Sequence, residues 1–204
     1  MKTNKIALLA SLFACAVALG GDAYNSVSVC PGSGTYEIDR AGTDFVLSGN
    51  IGGDVSVTLP DRCRVTLSDV TMSGVLTING DAELWLVGES EVAAAGASAI
   101  VCTGALTIGG DGALSATAAG AKKTGVVSAA SLHVAGGRTT LTILNPTKKN
   151  VCGVSLSGDY VQTDGVLTII GTSGDQRQNG VFLSKKDTTA TISGGLLDVA
   201  LAGE

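Results

Sequence analysis

Residues 76–86 read LTINGDAELWL and residues 106–116 read LTIGGDGALSA, with six of the eleven positions identical at a spacing of 30. LHVAGGRTTLTI (132–143), VQTDGVLTI (161–169) and ISGGLLDV (192–199) repeat the theme. Each is an alternating apolar triplet, a glycine-containing turn and a second alternating triplet. A third short element precedes each pair, at Ala99-Ile100, Gly125-Val126, Gly153-Val154 and Gly180-Val181, with steps of 26, 28 and 27 residues. Alternation over three to five residues marks very short strands with one buried face. Glycine between them permits sharp bends without a Cβ clash.

Three such strands in about 27 residues are too short for a repeating set of hairpins, but they fit one turn of a parallel solenoid whose turns pair at ~4.8 Å. The fold expected is therefore all-β, a right-handed parallel β-helix with three strands per turn. These are named A (around Val126), B (around Val134) and C (around Leu141). The expected inward ladder on A is Ile100, Val126, Val154 and Val181. On C it is Leu84/Leu86, Leu114/Ala116, Leu141/Ile143, Leu167/Ile169 and Leu197/Val199. Segments Phe45–Leu47, Val55–Val57 and Val65–Leu67 alternate in the same way, which places the helix over 44–204 and leaves 21–43 as a lead-in or N-terminal cap. Glu204 falls where another A strand is due, so either the protein is a truncated piece that continues into a further C-terminal domain, or this end self-associates end to end.

Composition agrees with a narrow, small-residue interior. Of 204 residues 29 are Gly, charged residues are 15 % and aromatics only 3 %. An apolar, weakly charged chain has ample surface to bury and is not a disordered one. Net charge is −5, which argues against nucleic acid as a partner. Lys2 and Lys5 precede an uncharged run from Ile6 to Leu19, and Ala18-Leu19-Gly20 supplies small residues at a cleavage point. That pattern reads as a signal peptide over 1–20. The run is shorter than the ~18–20 residues needed to cross a bilayer, so no membrane span is expected. The mature chain is expected to be secreted, periplasmic or on the cell surface. Export permits disulfides. Cys102 and Cys152 fall on inward positions two turns apart, beyond disulfide reach, and are expected as buried thiols. Cys30 and Cys63 are a candidate bridge.

The stretches Leu106–Gly110, Thr124–Val126, Val134–Gly137 and Ile192–Gly195 carry a grammar that resembles a family of secreted bacterial carbohydrate-binding β-helix proteins. Members look like pectate lyases in fold and bind cellulose and acidic sugars with calcium present. The resemblance covers about residues 44–204 and implies a non-catalytic polysaccharide binder. The polar run that follows the Gly-Ile element in that family is Ser128-Ala129-Ala130-Ser131 here.

Catalysis of the lyase type needs a carboxylate cluster for calcium and a nearby Arg or Lys base. The outward positions expected on strand A (Ala99/Val101, Gly125/Val127, Gly153/Ser155, Gly180/Phe182) carry no ionisable group. Those on strand B (Thr77, Thr107, His133, Gln162, Thr191) carry no carboxylate. His133 is the sole histidine, which leaves no His-based metal site or Ser-His-Asp arrangement. No enzyme activity is expected.

The basic residues give a stronger lead. Lys122-Lys123, Lys148-Lys149 and Arg177 each sit just before an A strand, and Lys185-Lys186 follows one. Equal offsets stack in a solenoid, so these form a cationic column suited to the carboxylates of an acidic polysaccharide. The plainer reading is that lysines populate exposed turns and discourage edge association. Asp81 and Asp111 fall at equivalent places of the 30-residue match and are a candidate Ca²⁺ clamp, although one shared position supplies few of calcium's ligands. Trp85 and Tyr160 are candidate sugar platforms, Trp85 being expected to point outward between Leu84 and Leu86. The function expected is acidic-polysaccharide binding without cleavage. The alternatives are a structural or adhesin segment of a surface protein and a fragment of a polysaccharide lyase.

Overall fold

The computed structural model describes residues 27–29, 36–39, 45–58, 63–121, 124–147, 150–172 and 177–202. The signal segment 1–20, Cys30, Lys122, Lys123, Lys148 and Lys149 lie outside the described residues, as does the side chain of Cys63. The described chain is all β and wholly parallel, a β-solenoid. Its strands are β1 (Val27–Val29), β2 (Tyr36–Asp39), β3 (Phe45–Ile51), β4 (Val55–Thr58) and β5 (Cys63–Ser73). Five complete three-strand coils follow: β6 (Leu76–Asn79), β7 (Ala82–Val87) and β8 (Glu89–Ala95); β9 (Ile100–Cys102), β10 (Ala105–Gly110) and β11 (Ala113–Ala119); β12 (Gly125–Ala129), β13 (Ser131–Val134) and β14 (Arg138–Leu144); β15 (Val151–Leu156), β16 (Tyr160–Gln162) and β17 (Val166–Gly171); β18 (Gln178–Leu183), β19 (Ala190–Ile192) and β20 (Leu196–Leu201).

Face A is the seven-stranded sheet β18-β15-β12-β9-β6-β4-β2. Face B stacks β19, β16, β13, β10, β7 and the first part of β5, and face C stacks β20, β17, β14, β11, β8 and the last part of β5. The two faces form one continuous sheet because β5 runs through both. The 21–43 segment contributes rungs of its own: β1 pairs with β3 and β2 with β4.

The coil widens along the chain. On face A, Tyr36 pairs with Val55, Val55 with Leu76, Leu76 with Ile100, Ile100 with Val127, Val127 with Val154, and Val154 with Val181. The steps are 19, 21, 24, 27, 27 and 27 residues. On face C, Val92, Ala116, Leu141, Ile169 and Val199 are successive rungs, with steps of 24, 25, 28 and 30. The expected 27-residue repeat therefore holds only on face A of the later coils. The connectors lengthen at all three corners, from two residues (74–75) to six (145–150 and 172–177) at C-to-A, from two (80–81) to six (184–189) at A-to-B, and from one (88) to three (193–195) at B-to-C.

This widening corrects several sequence expectations. The best-matched pair of segments does not stack in the matched register: Leu76–Asn79 lies on face A against Ile100–Cys102, whereas Leu106–Ile108 lies on face B against Ala82–Leu84. Leu84 and Leu86 belong to face B and pair with Ile108 and Gly110, not to the C ladder. Within C, Leu114 and Leu167 both face Thr139, and Leu141 stacks between Ala116 and Ile169, a slip of two residues. On A the valine below Val154 is Val127, one residue beyond the expected Val126. Both valines are fully buried, so burial pattern alone does not distinguish them. Gln162, expected outward, is fully buried, and Val161 takes the outward place between His133 and Thr191.

The interior is a continuous column of Val, Ile, Leu and Ala with Phe45 and Tyr160 buried in it, so the Tyr160 ring is closed to a sugar, contrary to expectation. Each fully buried aliphatic side chain contributes roughly 1.5–3 kcal/mol, most of it offset by the entropy of ordering the chain. Corners are too tight for side chains in places. Gly165 and Gly195, at the B-to-C corner, have φ of 75° and 74°. A Cβ on Gly195 falls 2.3 Å from the carbonyl oxygen of Gly165. Other corners are stapled by aspartates that accept a hydrogen bond from the next coil's backbone, as Asp54 does from Val75 N–H and Asp159 from Thr189 N–H.

Candidate functional site

Face A and its two flanking corners bring outward hydroxyls together with Arg177, Lys185 and Lys186 of the basic residues singled out in the sequence. In-register pairing carries one outward column along the solenoid axis: Ser56, Thr77, Val101, Ser128, Ser155 and Phe182. Ser128 takes the outward place expected for Val127, as the one-residue register correction requires. Rungs repeat at ~4.8 Å, so neighbouring side chains in the column are spaced on the scale of a sugar ring. Phe182 is 45 % exposed, which leaves an aromatic face open beside the Ser155 hydroxyl.

Along the A-to-B corner runs a hollow of about 280 Å³ lined by Thr103, Ser128, Ser155, Ser157 and Ser184 over Leu156. Its shape follows from coil stacking: Ser157 N–H donates to Ala129 O at 3.3 Å and Ser184 N–H to Leu156 O at 2.8 Å, which sets one hydroxyl above another. Lys185 and Lys186, both exposed, follow Ser184 at the wide end. Cys102 borders the same hollow. Burial pushes its thiol above its ordinary value, and its Sγ donates to the carbonyl of Gly80 at 3.2 Å. It is a neutral packing thiol rather than a nucleophile. Cys102 and Cys152 are both free and buried, as expected.

The C-to-A corner flanks face A on its other side. Thr147 N–H donates to Ala121 O at 3.3 Å, Cys152 N–H to Thr124 O at 3.0 Å, and Asn150 N–H to Arg177 O at 2.8 Å. Ala121 and Thr147, which precede the two lysine pairs in sequence, are thus stacked rungs of one corner. Arg177 is exposed there.

The remaining candidates stand elsewhere. Asp81 Oδ1 accepts from Ala105 N–H at 2.8 Å at the A-to-B corner, and Asp111 sits at the B-to-C corner between β10 and β11. They are not stacked, so the geometry that suggested a shared Ca²⁺ clamp is not present. Among the described residues no group of three or more His, Cys, Asp or Glu side chains is placed to hold a metal. Trp85 is on face B and 37 % exposed. Its ring lies against Gly109, where a Cβ would come within 2.9 Å, and the Arg64 guanidinium sits over it at 4.4 Å. Arg64 also pairs with Glu83 at 3.1 Å. The indole points outward and is exposed, as expected, with Arg64 over the ring and Gly109 against it. His133 Nε2 meets Thr163 Oγ1 at 2.8 Å and has no carboxylate partner there.

Among the described residues, no helix is long and apolar enough to cross a membrane. The comparisons with protein-family models, with curated proteins and with solved structures find no match to this chain.

Proposed function

We propose that the chain is an exported carbohydrate-binding solenoid that holds an acidic polysaccharide along face A and does not cleave it. The observation that carries this reading is where the coil grows. Lengthening is greatest at the two corners that flank face A: the C-to-A connectors come to read GAKKT (120–124), NPTKKN (145–150) and TSGDQR (172–177), and the last A-to-B connector reads SKKDTT (184–189). Residues added to a loop that the core does not require are where a rigid scaffold acquires function. In a chain of net charge −5 the added residues include two lysine pairs and Arg177. Across face A, Lys185 and Lys186 supply charge at the opposite corner. Between them, Phe182 offers a ring for stacking on a pyranose, and Ser128 and Ser155 offer hydroxyls for hydrogen bonding.

Titration calorimetry with polygalacturonate and with a neutral glucan tests this. Expected are binding to the uronate polymer, weakening as salt rises, and a loss of at least tenfold in the Lys148→Glu/Lys149→Glu and Lys185→Glu/Lys186→Glu variants. Unsaturated uronides are not expected among the products. Equal binding of neutral and acidic polymers, or binding unchanged in both variants, overturns the reading.

A further inference from the structure

On face C the strands β8, β11, β14 and β17 read ESEVAAA, ALSATAA, RTTLTIL and VLTIIG, and alternate residues of each point outward. Three of these outward residues are charged, Glu89, Glu91 and Arg138, and all three are exposed. The rest are Ala, Ser, Thr and larger aliphatics. A sheet face so depleted in charge is suited to contact with another protein surface. Register fixes where the charges stand. Ala113 of β11 pairs with Glu89 on one side and with Arg138 on the other. Opposite charges therefore flank one small residue, two rungs or ~9.6 Å apart. A hollow of about 440 Å³ opens between them, beside Ser115 and Thr140. Among the described residues neither charged side chain has an ion-pair partner.

We infer that face C is covered by face C of a second copy, side by side, with the two solenoid axes antiparallel. The two-fold axis of this dimer runs along β11, so every contact occurs twice. Glu89 then meets Arg138 of the second copy and Arg138 meets its Glu89, which pairs both stranded charges at once. Side-chain size is complementary in the same register. Ala93 and Ala95 lie one rung from β11 on one side, and Thr142 and Leu144 one rung from it on the other. The smaller pair thus faces the larger, while Thr117 and Ala119 on the axis face themselves. A parallel arrangement instead sets Glu89 over Ala95 and Arg138 over Leu144, burying charge against apolar groups. Five rungs at ~4.8 Å and about seven residues at ~3.3 Å give a face of roughly 24 by 23 Å. Two copies cover about 1,100 Å² together, the size of a small, exchanging interface. Face A stays open in both copies, so this contact is separate from the proposed glycan surface.

Sedimentation equilibrium of the chain over a range of concentrations tests the inference. A monomer–dimer equilibrium is expected. Glu89→Arg alone and Arg138→Glu alone are each expected to raise the dimer dissociation constant at least tenfold, because each sets like charges together at both contacts. Mixed in equal amounts, these two variants are expected to regain the dimer, since every contact then joins opposite charges. Thr107→Lys, on face B, is expected to leave the equilibrium unchanged. Circular dichroism should match for all, as the substituted side chains lie on the surface. A monomer at every concentration, oligomers beyond the dimer, a mixture that stays monomeric, or equal weakening by Thr107→Lys overturns the inference.

Discussion

The carboxamide Nε2 of Gln162 donates to the carbonyl oxygen of Leu196 at 3.0 Å, tying two coils together through the interior of the solenoid. Its Oε1 accepts from the Tyr160 hydroxyl at 2.6 Å, and both side chains are buried. Replacing Gln162 with Ala leaves the phenol without this acceptor, a loss of about 1–3 kcal/mol. Tyr160→Phe is expected to cost less, near ~1 kcal/mol. Urea unfolding of the two variants measures both.

Thr139 has the opposite problem. It stands in a ladder between Leu114 and Leu167, 1 % exposed, and its hydroxyl has no hydrogen-bond partner. Thr139→Val keeps the shape and removes the stranded hydroxyl, so a gain of roughly 1 kcal/mol is expected. An unchanged or lowered urea midpoint counts against this account.

Alkaline pH is expected to loosen the core. Burial pushes Tyr160 up from 10.0 to about 12 and Cys152 up from 9.0 to about 11, the latter against a smaller opposing hydrogen bond with Asn179. A raised folded-state value means that the unfolded chain releases its proton first. The stabilisation is full below pH 9 and is lost as pH rises, over about 9 to 11 for Cys152 and 10 to 12 for Tyr160. Melting temperature followed across this range should fall, with Cys152→Ala and Tyr160→Phe each flattening their own part of the decline.

Gly96 and Gly165 separate backbone strain from crowding. Both have φ of 75°. A Cβ on Gly96 meets nothing within 4 Å, whereas one on Gly165 lies 2.7 Å from the backbone of Gly136. Gly96→Ala is expected to cost only the strain of a left-handed alanine, about 1–2 kcal/mol. Gly165→Ala should cost that and a further ~1–3 kcal/mol of overpacking. Equal melting temperatures for the two variants contradict this.

The glycan surface proposed on face A excludes Trp85. That residue lies on face B with Arg64 over its ring, so saturating polygalacturonate should leave its fluorescence unshifted while calorimetry registers binding. A clear emission shift places the ligand on face B instead.

The architecture was legible because side chains alternate with a period of two. Leu84, Leu114, Leu141, Leu167 and Ile169, expected inward from that alternation, are all buried. Which rung each one joins was not legible. A short strand, a glycine bend and a second short strand describe the A-to-B turn of one coil and the B-to-C turn of the next equally well. That is why residues 76–86 match 106–116 although equivalent residues do not stack. The misplacement of Asp81 beside Asp111 follows from the same cause. Gln162 misled because a polar residue in an alternating strand reads as solvent-facing, and only Tyr160 and the carbonyl of Leu196 make its burial affordable. The serine-lined hollow left no sequence signal, since Thr103, Ser128, Ser155 and Ser184 come from four coils and each alone is ordinary.

The C-to-A corner adds residues from coil to coil while the three faces stay paired. Such a corner is a natural graft point. A foreign peptide spliced there lengthens a surface excursion that already varies, at an entropic cost that rises only slowly with its length. The protein can therefore serve as a rod that displays inserted epitopes at fixed heights along one side.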